Sequence, residues 1–139
     1  VAAIQLIDSA RVEVRLNEKR LHKRLAHWQS VVTSACEQSG RAVVPEVRAP
    51  LSFQQWLEHK EKQQCVVLDP MATLPLSSVS LASNHISLMI GPEGGFNEEE
   101  IQLAGNRGVE RVSLGPRVLR TETAGPAAIT VLQTMAGEF

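Results

Sequence analysis

Two short runs hold most of the residues in this chain that could do chemistry. One is Gly91-Pro92-Glu93-Gly94-Gly95, which follows the apolar stretch Ile86–Ile90. The other is Leu114-Gly115-Pro116-Arg117-Val118-Leu119-Arg120-Thr121-Glu122-Thr123-Ala124, which begins at the end of the strand-like stretch Val109–Leu114. Glycines let a ligand approach the backbone closely. The first run has no Lys-Ser or Lys-Thr, so it is not a phosphate loop, and Pro92-Glu93 breaks the dinucleotide spacing. Glu93 disfavours a phosphate and suits a neutral or cationic ligand, such as a ribose, an amine or a sulfonium. The alternative is a plain strand-to-helix turn. In the second run, Arg117 and Arg120 can hold phosphate or steady a substrate that gains negative charge. There the alternative is a solvated loop with Thr121 or Thr123 as helix cap and Glu122 on the helix dipole.

These runs need elements to position them. Ala2–Ile7 reads as a strand. Glu18–Cys36 reads as a helix, with Leu21, Leu25, Trp28, Val32 and Ala35 at helical spacing and Gly40 beyond its end. Val43-Val44 is a short β segment limited by Pro45. Ser52-x-x-Gln55 is a capping box flanked by Leu51 and Trp56, and opens a second helix. Cys65–Leu68 and Ile86–Ile90 read as buried strands, separated by a loop over Met71–Ser83. Asn97-x-x-Glu100 is another capping box, flanked by Phe96 and Ile101, for a helix ending near Gly105–Gly108. Val109–Leu114 is a strand. A last helix runs from a Thr123 cap to about Met135, which places Pro126 in its first turn. Short apolar strands alternating with helices predict an α/β domain with a mostly parallel sheet and helices on both faces.

The 139 residues suit one domain, 1–139. Lys and Arg total 14 against 15 Asp and Glu, so the strong positive field of many nucleic-acid binders is absent. The basic concentration Arg11, Arg15, Lys19, Arg20, Lys23, Arg24 reads as a solvated helix face or a local phosphate-contacting strip. Cys36 and Cys65 read as reduced, packed thiols, and the histidines have no metal-ligand spacing, so no metal is expected. With no bilayer-length apolar run and no signal-peptide layout, the expectation is a soluble, cytoplasmic protein without a membrane partner. Val1-Ala-Ala-Ile opens directly on strand-like residues, as if a longer protein had been cut.

Ile90-Gly-Pro-Glu-Gly-Gly-Phe96 and Leu114-Gly-Pro-Arg-Val-Leu-Arg-Thr-Glu-Thr-Ala124 resemble the two signature motifs of the SPOUT-class RNA methyltransferases, most closely the RsmE family. Ala35-Cys-Glu-Gln-Ser-Gly-Arg41, followed by Val44-Pro-Glu46, resembles that family's Glu-Gln-Ser-Gly-Arg segment. Three motifs in order are far more specific than any one alone. The resemblance implies an S-adenosylmethionine-dependent methyltransferase acting on N3 of a uridine in 16S ribosomal RNA. It further implies a C-terminal trefoil knot, an exception to the rule against knots, a homodimer whose sites borrow from the partner, and a preceding PUA-like domain. That domain, and the first strand and helix of the catalytic domain, would lie outside this chain. The cofactor-binding residues implied are Leu68, Gly91, Pro92, Glu93, Gly94, Gly95, Leu114, Gly115, Leu119 and Thr121. The catalytic candidates are Arg120, Arg117 and Glu122, with Glu93 or water as alternative proton acceptors. Gly125-Pro126 departs from the family's small helix formers and is expected to shift the helix start. The competing readings are a non-catalytic binder of an adenosyl ligand, a SPOUT enzyme acting on tRNA, and a plain nucleotide-binding α/β domain.

Overall fold

The computed structural model describes residues 1–12, 17–60, 63–83 and 85–138. Within the basic concentration, Arg15 lies outside the described residues. The chain divides into two compact units, Val1–Asp8 with Val12–Trp56, and Ser9–Arg11 with Leu57–Phe139.

In the first unit, β1 (Ala3–Asp8) pairs in parallel with β2 (Glu46–Ser52), and α1 (Glu18–Ser39) packs on β2. Asn17 caps α1 by accepting the Arg20 N–H at 2.9 Å. Leu21, Leu25, Trp28 and Val32 are half-buried, but Ala35 is exposed and Cys36 takes the buried place. The Glu-Gln-Ser-Gly-Arg segment forms the stop of this helix. Gly40 is left-handed at φ 70, and the Gly40 and Arg41 N–H groups donate to Glu37 O and Cys36 O. This is the double bond pattern that satisfies the last helical carbonyls. Arg41 also donates to Val1 O at 2.5 Å and to Val43 O at 2.9 Å.

The short strand expected at Val43-Val44 is instead β2, beginning after Pro45. Gln29 moves the boundary: its amide donates to Pro45 O and accepts from Val47 N–H. Pro50 is tolerated inside β2 because the register with β1 shifts between Gln5 and Ile7. A proline lacks the ladder donor, and such an irregularity is one of the few strand positions that does not need it.

In the second unit, β3 (Gln64–Leu68), β4 (Ile86–Met89) and β5 (Val109–Val112) form a parallel sheet in the order β4-β3-β5. The single sheet expected is thus two parallel sheets among the described residues. β3 is central and is buried through Cys65, Val66 and Val67. On one face Val66 and Val112 join Leu76, Val79, Ala128 and Leu132 in a core cluster. The opposite face buries Cys65, Val67, Met89 and Val109. Burial on both faces explains why these strands read as continuous apolar runs.

The helix α2 (Phe53–His59) starts at the Ser52/Gln55 capping box, whose reciprocal bonds are 3.0 and 3.1 Å. Next, α3 (Glu98–Asn106) starts at the Asn97/Glu100 capping box and packs on β5 with Ile101 and Ala104 buried. The last helix, α4 (Thr121–Met135), begins two residues before the expected Thr123 cap, with Arg120 as N-cap and no side-chain cap bond. Pro126 therefore lies inside α4, beyond the first turn. The carbonyl it leaves unpaired belongs to exposed Glu122, where solvent can satisfy it. Gly125 does not delay the helix. It is buried, and a Cβ there would lie 3.0 Å from Ile90 Cδ1, so glycine lets α4 approach the end of β4.

Candidate functional site

Because β3, β4 and β5 are mutually parallel, their carboxyl ends lie on one edge of the sheet. Ligands of α/β proteins bind outside that edge. Here three segments leave it: 69–75 after β3, 90–97 after β4, and 113–120 after β5. Together they line an open cleft of about 890 Å³, a size suited to a small-molecule ligand. Every residue singled out from the sequence lines it: Leu68, Gly91, Pro92, Glu93, Gly94, Gly95, Leu114, Gly115, Arg117, Leu119, Arg120, Thr121 and Glu122.

The first loop is folded tightly on itself. Gly95 N–H donates to Pro92 O at 2.8 Å, closing a turn, and Gly95 has φ 67. A Cβ on Gly91 would stand 3.1 Å from both Gly95 Cα and Phe96 N. Glycine at 91 is thus required by the loop's own backbone, whereas the sequence suggested room for a ligand. Downstream, the Asn97/Glu100 capping box holds the loop to α3, at 2.9 Å from Asn97 N to Glu100 Oε2 and 2.8 Å from Glu100 N to Asn97 Oδ1. The two loops touch where the Thr121 hydroxyl donates to Gly91 O at 3.2 Å.

The second loop is open. Gly115 through Arg120 are all exposed, and the Arg120 side chain retains 86% of its accessible surface. Its guanidinium sits 3.9 Å from the Glu122 carboxylate, a loose solvent-exposed pair of small energetic value. Arg120 O accepts from Thr123 and Ala124 N–H at 2.9 and 2.8 Å, which starts α4.

The sequence reading missed Arg11, Asp69, Met71 and Phe96, which also line the cleft. Asp69 closes the third segment. Its carboxylate accepts from Arg111 Nε at 2.8 Å and Nη2 at 2.5 Å, and its other oxygen accepts from Met71 N–H at 2.9 Å. An Asp-Pro directly after the buried strand Cys65–Leu68 was the available signal, but Arg111 is its neighbour only through the β3–β5 register. Arg11 is not on α1, which corrects its assignment to the basic helix face. It belongs to the 9–11 segment and donates to Gly94 O. Lys19, Arg20, Lys23 and Arg24 are exposed on α1, as a solvated face requires.

Cys36 and Cys65 are buried free thiols. Burial pushes the Cys65 thiol up to about 11, against the opposing charge of Lys60, so it is protonated and poorly nucleophilic at neutral pH. Among the described residues no group of His, Cys, Asp and Glu could hold a metal ion, and no helix is long and apolar enough to cross a membrane.

The family described as RNA methyltransferase domain matches residues 1–133, and the chain belongs to it. Ribosomal RNA small subunit methyltransferase E of Buchnera aphidicola subsp. Acyrthosiphon pisum is 34% identical over 125 residues, covering 88% of this chain and 49% of that protein. The Bacillus subtilis protein of the same name is 32% identical over 134 residues, covering 90% and 52%. The chain spans about half the length of these relatives. Among solved structures, ribosomal RNA small subunit methyltransferase E from Neisseria gonorrhoeae bound to S-adenosyl methionine superposes with TM-score 0.90 and 41% identity, over 97% of this chain and 55% of that one. A Legionella pneumophila protein in complex with the bound cofactor SAM superposes with TM-score 0.92 and 36% identity, over 96% and 55%.

Proposed function

We propose, from membership of the RNA methyltransferase domain family, that this chain is the donor-binding catalytic part of an S-adenosylmethionine-dependent methyltransferase acting on N3 of a uridine in 16S ribosomal RNA. One observation carries the reading. Both chemistry-bearing runs line a single cleft at the sheet's carboxyl edge, in a chain closely similar to proteins solved with that cofactor.

The cleft suits such a donor. Its first wall is the glycine-rich segment 91–95, whose main-chain groups not engaged within the loop can read an adenine edge, and Leu68, Leu114 and Leu119 offer apolar surface. Gly115 extends the main-chain wall. Thr121 acts indirectly, because its hydroxyl is engaged on Gly91 O. Glu93 is exposed at the loop tip and favours a cationic ligand. When bound, S-adenosylmethionine supplies an electrophilic methyl group on a sulfonium centre.

The rest of the chemistry falls to protein side chains. Uridine N3 must lose its proton, and the resulting negative charge spreads onto O2 and O4. Arg120, assisted by Arg117, stabilises that charge. The loose Arg120–Glu122 pair leaves the guanidinium donors available to a substrate. Glu122 takes the proton, with Glu93 or water as the alternative acceptor. Holding donor and base nearly collinear lowers the barrier further, and the uridine must be presented unstacked. The same proposal includes the trefoil knot, the homodimer, residues 1–139 as one methyltransferase domain, and action on the small ribosomal subunit in the cytoplasm.

The test is methylation of small ribosomal subunits by the protein, followed by mass mapping of the modified base. The expected product is one methyl group on N3 of a uridine. Tight donor binding without transfer would make the protein a non-catalytic binder, and methyl on tRNA would make it a different enzyme.

A further inference from the structure

Glu100, a residue only 7% exposed, makes two side-chain bonds that serve different parts of the chain. Oε2 completes the α3 capping box through Asn97 N–H at 2.9 Å, and Oε1 accepts from Ala10 N–H at 2.7 Å. One carboxylate therefore fixes the downstream end of the 91–96 loop and the 9–11 segment together. Arg11, next in the chain, lays its side chain across the loop and donates from Nη1 to Gly94 O. A Cβ on Gly94 would stand 3.2 Å from Arg11 Cδ and 3.7 Å from Arg11 Cβ, so the absent side chain at 94 is what lets the arginine lie this close. Gly94 is neither left-handed nor crowded by other backbone. The Arg11 contact is the reason the structure offers for glycine there.

We infer that Arg11 is a positioning residue: seated by Glu100, it holds the Gly91–Gly95 loop in the shape that receives the methyl donor. The role in donor binding rests on the proposed reading of the cleft. The latch itself does not. A guanidinium donating to a main-chain carbonyl is a charge-assisted bond. It restrains the peptide following Gly94 and, through it, the Gly95 N–H that closes the turn onto Pro92 O.

Two measurements on this chain separate the latch from the reading. Amide hydrogen exchange compares wild type, Arg11→Ala and Arg11→Lys. The latch predicts faster exchange at Gly95 in Arg11→Ala, partial recovery in Arg11→Lys, and a melting temperature unchanged within a few degrees. Unchanged exchange at Gly95 in Arg11→Ala overturns the latch. Calorimetric titration with S-adenosylmethionine then reads its consequence: affinity falls about fivefold to tenfold in Arg11→Ala, the size expected for the net worth of one solvent-exposed hydrogen bond, and Arg11→Lys lies between. Wild-type affinity in Arg11→Ala overturns the positioning role. If wild type itself does not bind the donor, the reading of the cleft fails, and with it the role in donor binding, while the exchange result still decides the latch.

Discussion

The two loops of the cleft are built on opposite principles. The 91–96 loop is held by its own turn, by the α3 capping box, by Arg11 and by the Thr121 hydroxyl. The 115–120 loop is exposed throughout and carries Val118 at 76% and Arg120 with a largely free side chain. The proposed function accounts for the contrast. A surface that must bind one small molecule gains from being formed beforehand, because ordering it on binding costs affinity. On the proposed reading the open loop also meets the RNA through Arg117 and Arg120, which need to be accessible, while Leu114, Gly115 and Leu119 offer surface to the donor.

Substituting the rigid loop should have the largest effect. Gly91→Val puts a side chain 3.1 Å from backbone at Gly95 and Phe96. It should cost about 1–3 kcal/mol of stability by overpacking and, by displacing the loop, lower donor affinity about a hundredfold or more, as read by calorimetry. Retained affinity would mean that the loop's shape is not what the ligand recognises. On the open loop, Arg120→Ala should cut methyl transfer about a hundredfold while leaving melting temperature unchanged and donor affinity within a few-fold. Equal losses in binding and turnover would erase the distinction between the two loops.

Alkaline pH should act on the sheet beneath the rigid loop and spare the exposed one. Cys65 is raised from 9.0 to about 11, chiefly by burial. Between these values the unfolded chain has released the thiol proton and the folded chain retains it. Stability is therefore full below pH 9 and falls by roughly 2–3 kcal/mol as pH rises to the folded value. Denaturant titrations across this range should show the decline, and Cys65→Ala should flatten it. The smallest effect is expected from Glu100→Gln, which turns one of two backbone acceptors into a donor. It should cost about 1–2 kcal/mol in denaturant unfolding and weaken donor binding only through Arg11. A loss larger than that of Gly91→Val would relocate the source of rigidity.

What was legible in the sequence was local. Capping boxes at Ser52/Gln55 and Asn97/Glu100, the glycine stop at Gly40 and the buried strand Cys65–Leu68 each depend on residues within a few positions, and each appears in the structure. That the two runs meet in one cleft was legible too, because strand ends of a parallel sheet share an edge, whereas Leu68 and Leu119 were pointed to by the family resemblance. Distant chemistry was not. β2 takes its boundary from Gln29. Arg11 looked like part of a basic helix face because its anchor, Glu100, lies 90 residues from Ala10. Proline is tolerated in a first turn, which favours a start at Thr123; α4 instead begins at Thr121, whose hydroxyl bonds Gly91 O.

Titrating S-adenosylmethionine into nitrogen-15-labelled chain while following every amide tests most directly whether the two loops clasp one donor. Saturable shifts in both the 91–95 and 114–121 amides, with a common dissociation constant, are the predicted result. Binding that perturbs only one of these segments, or neither, would contradict it.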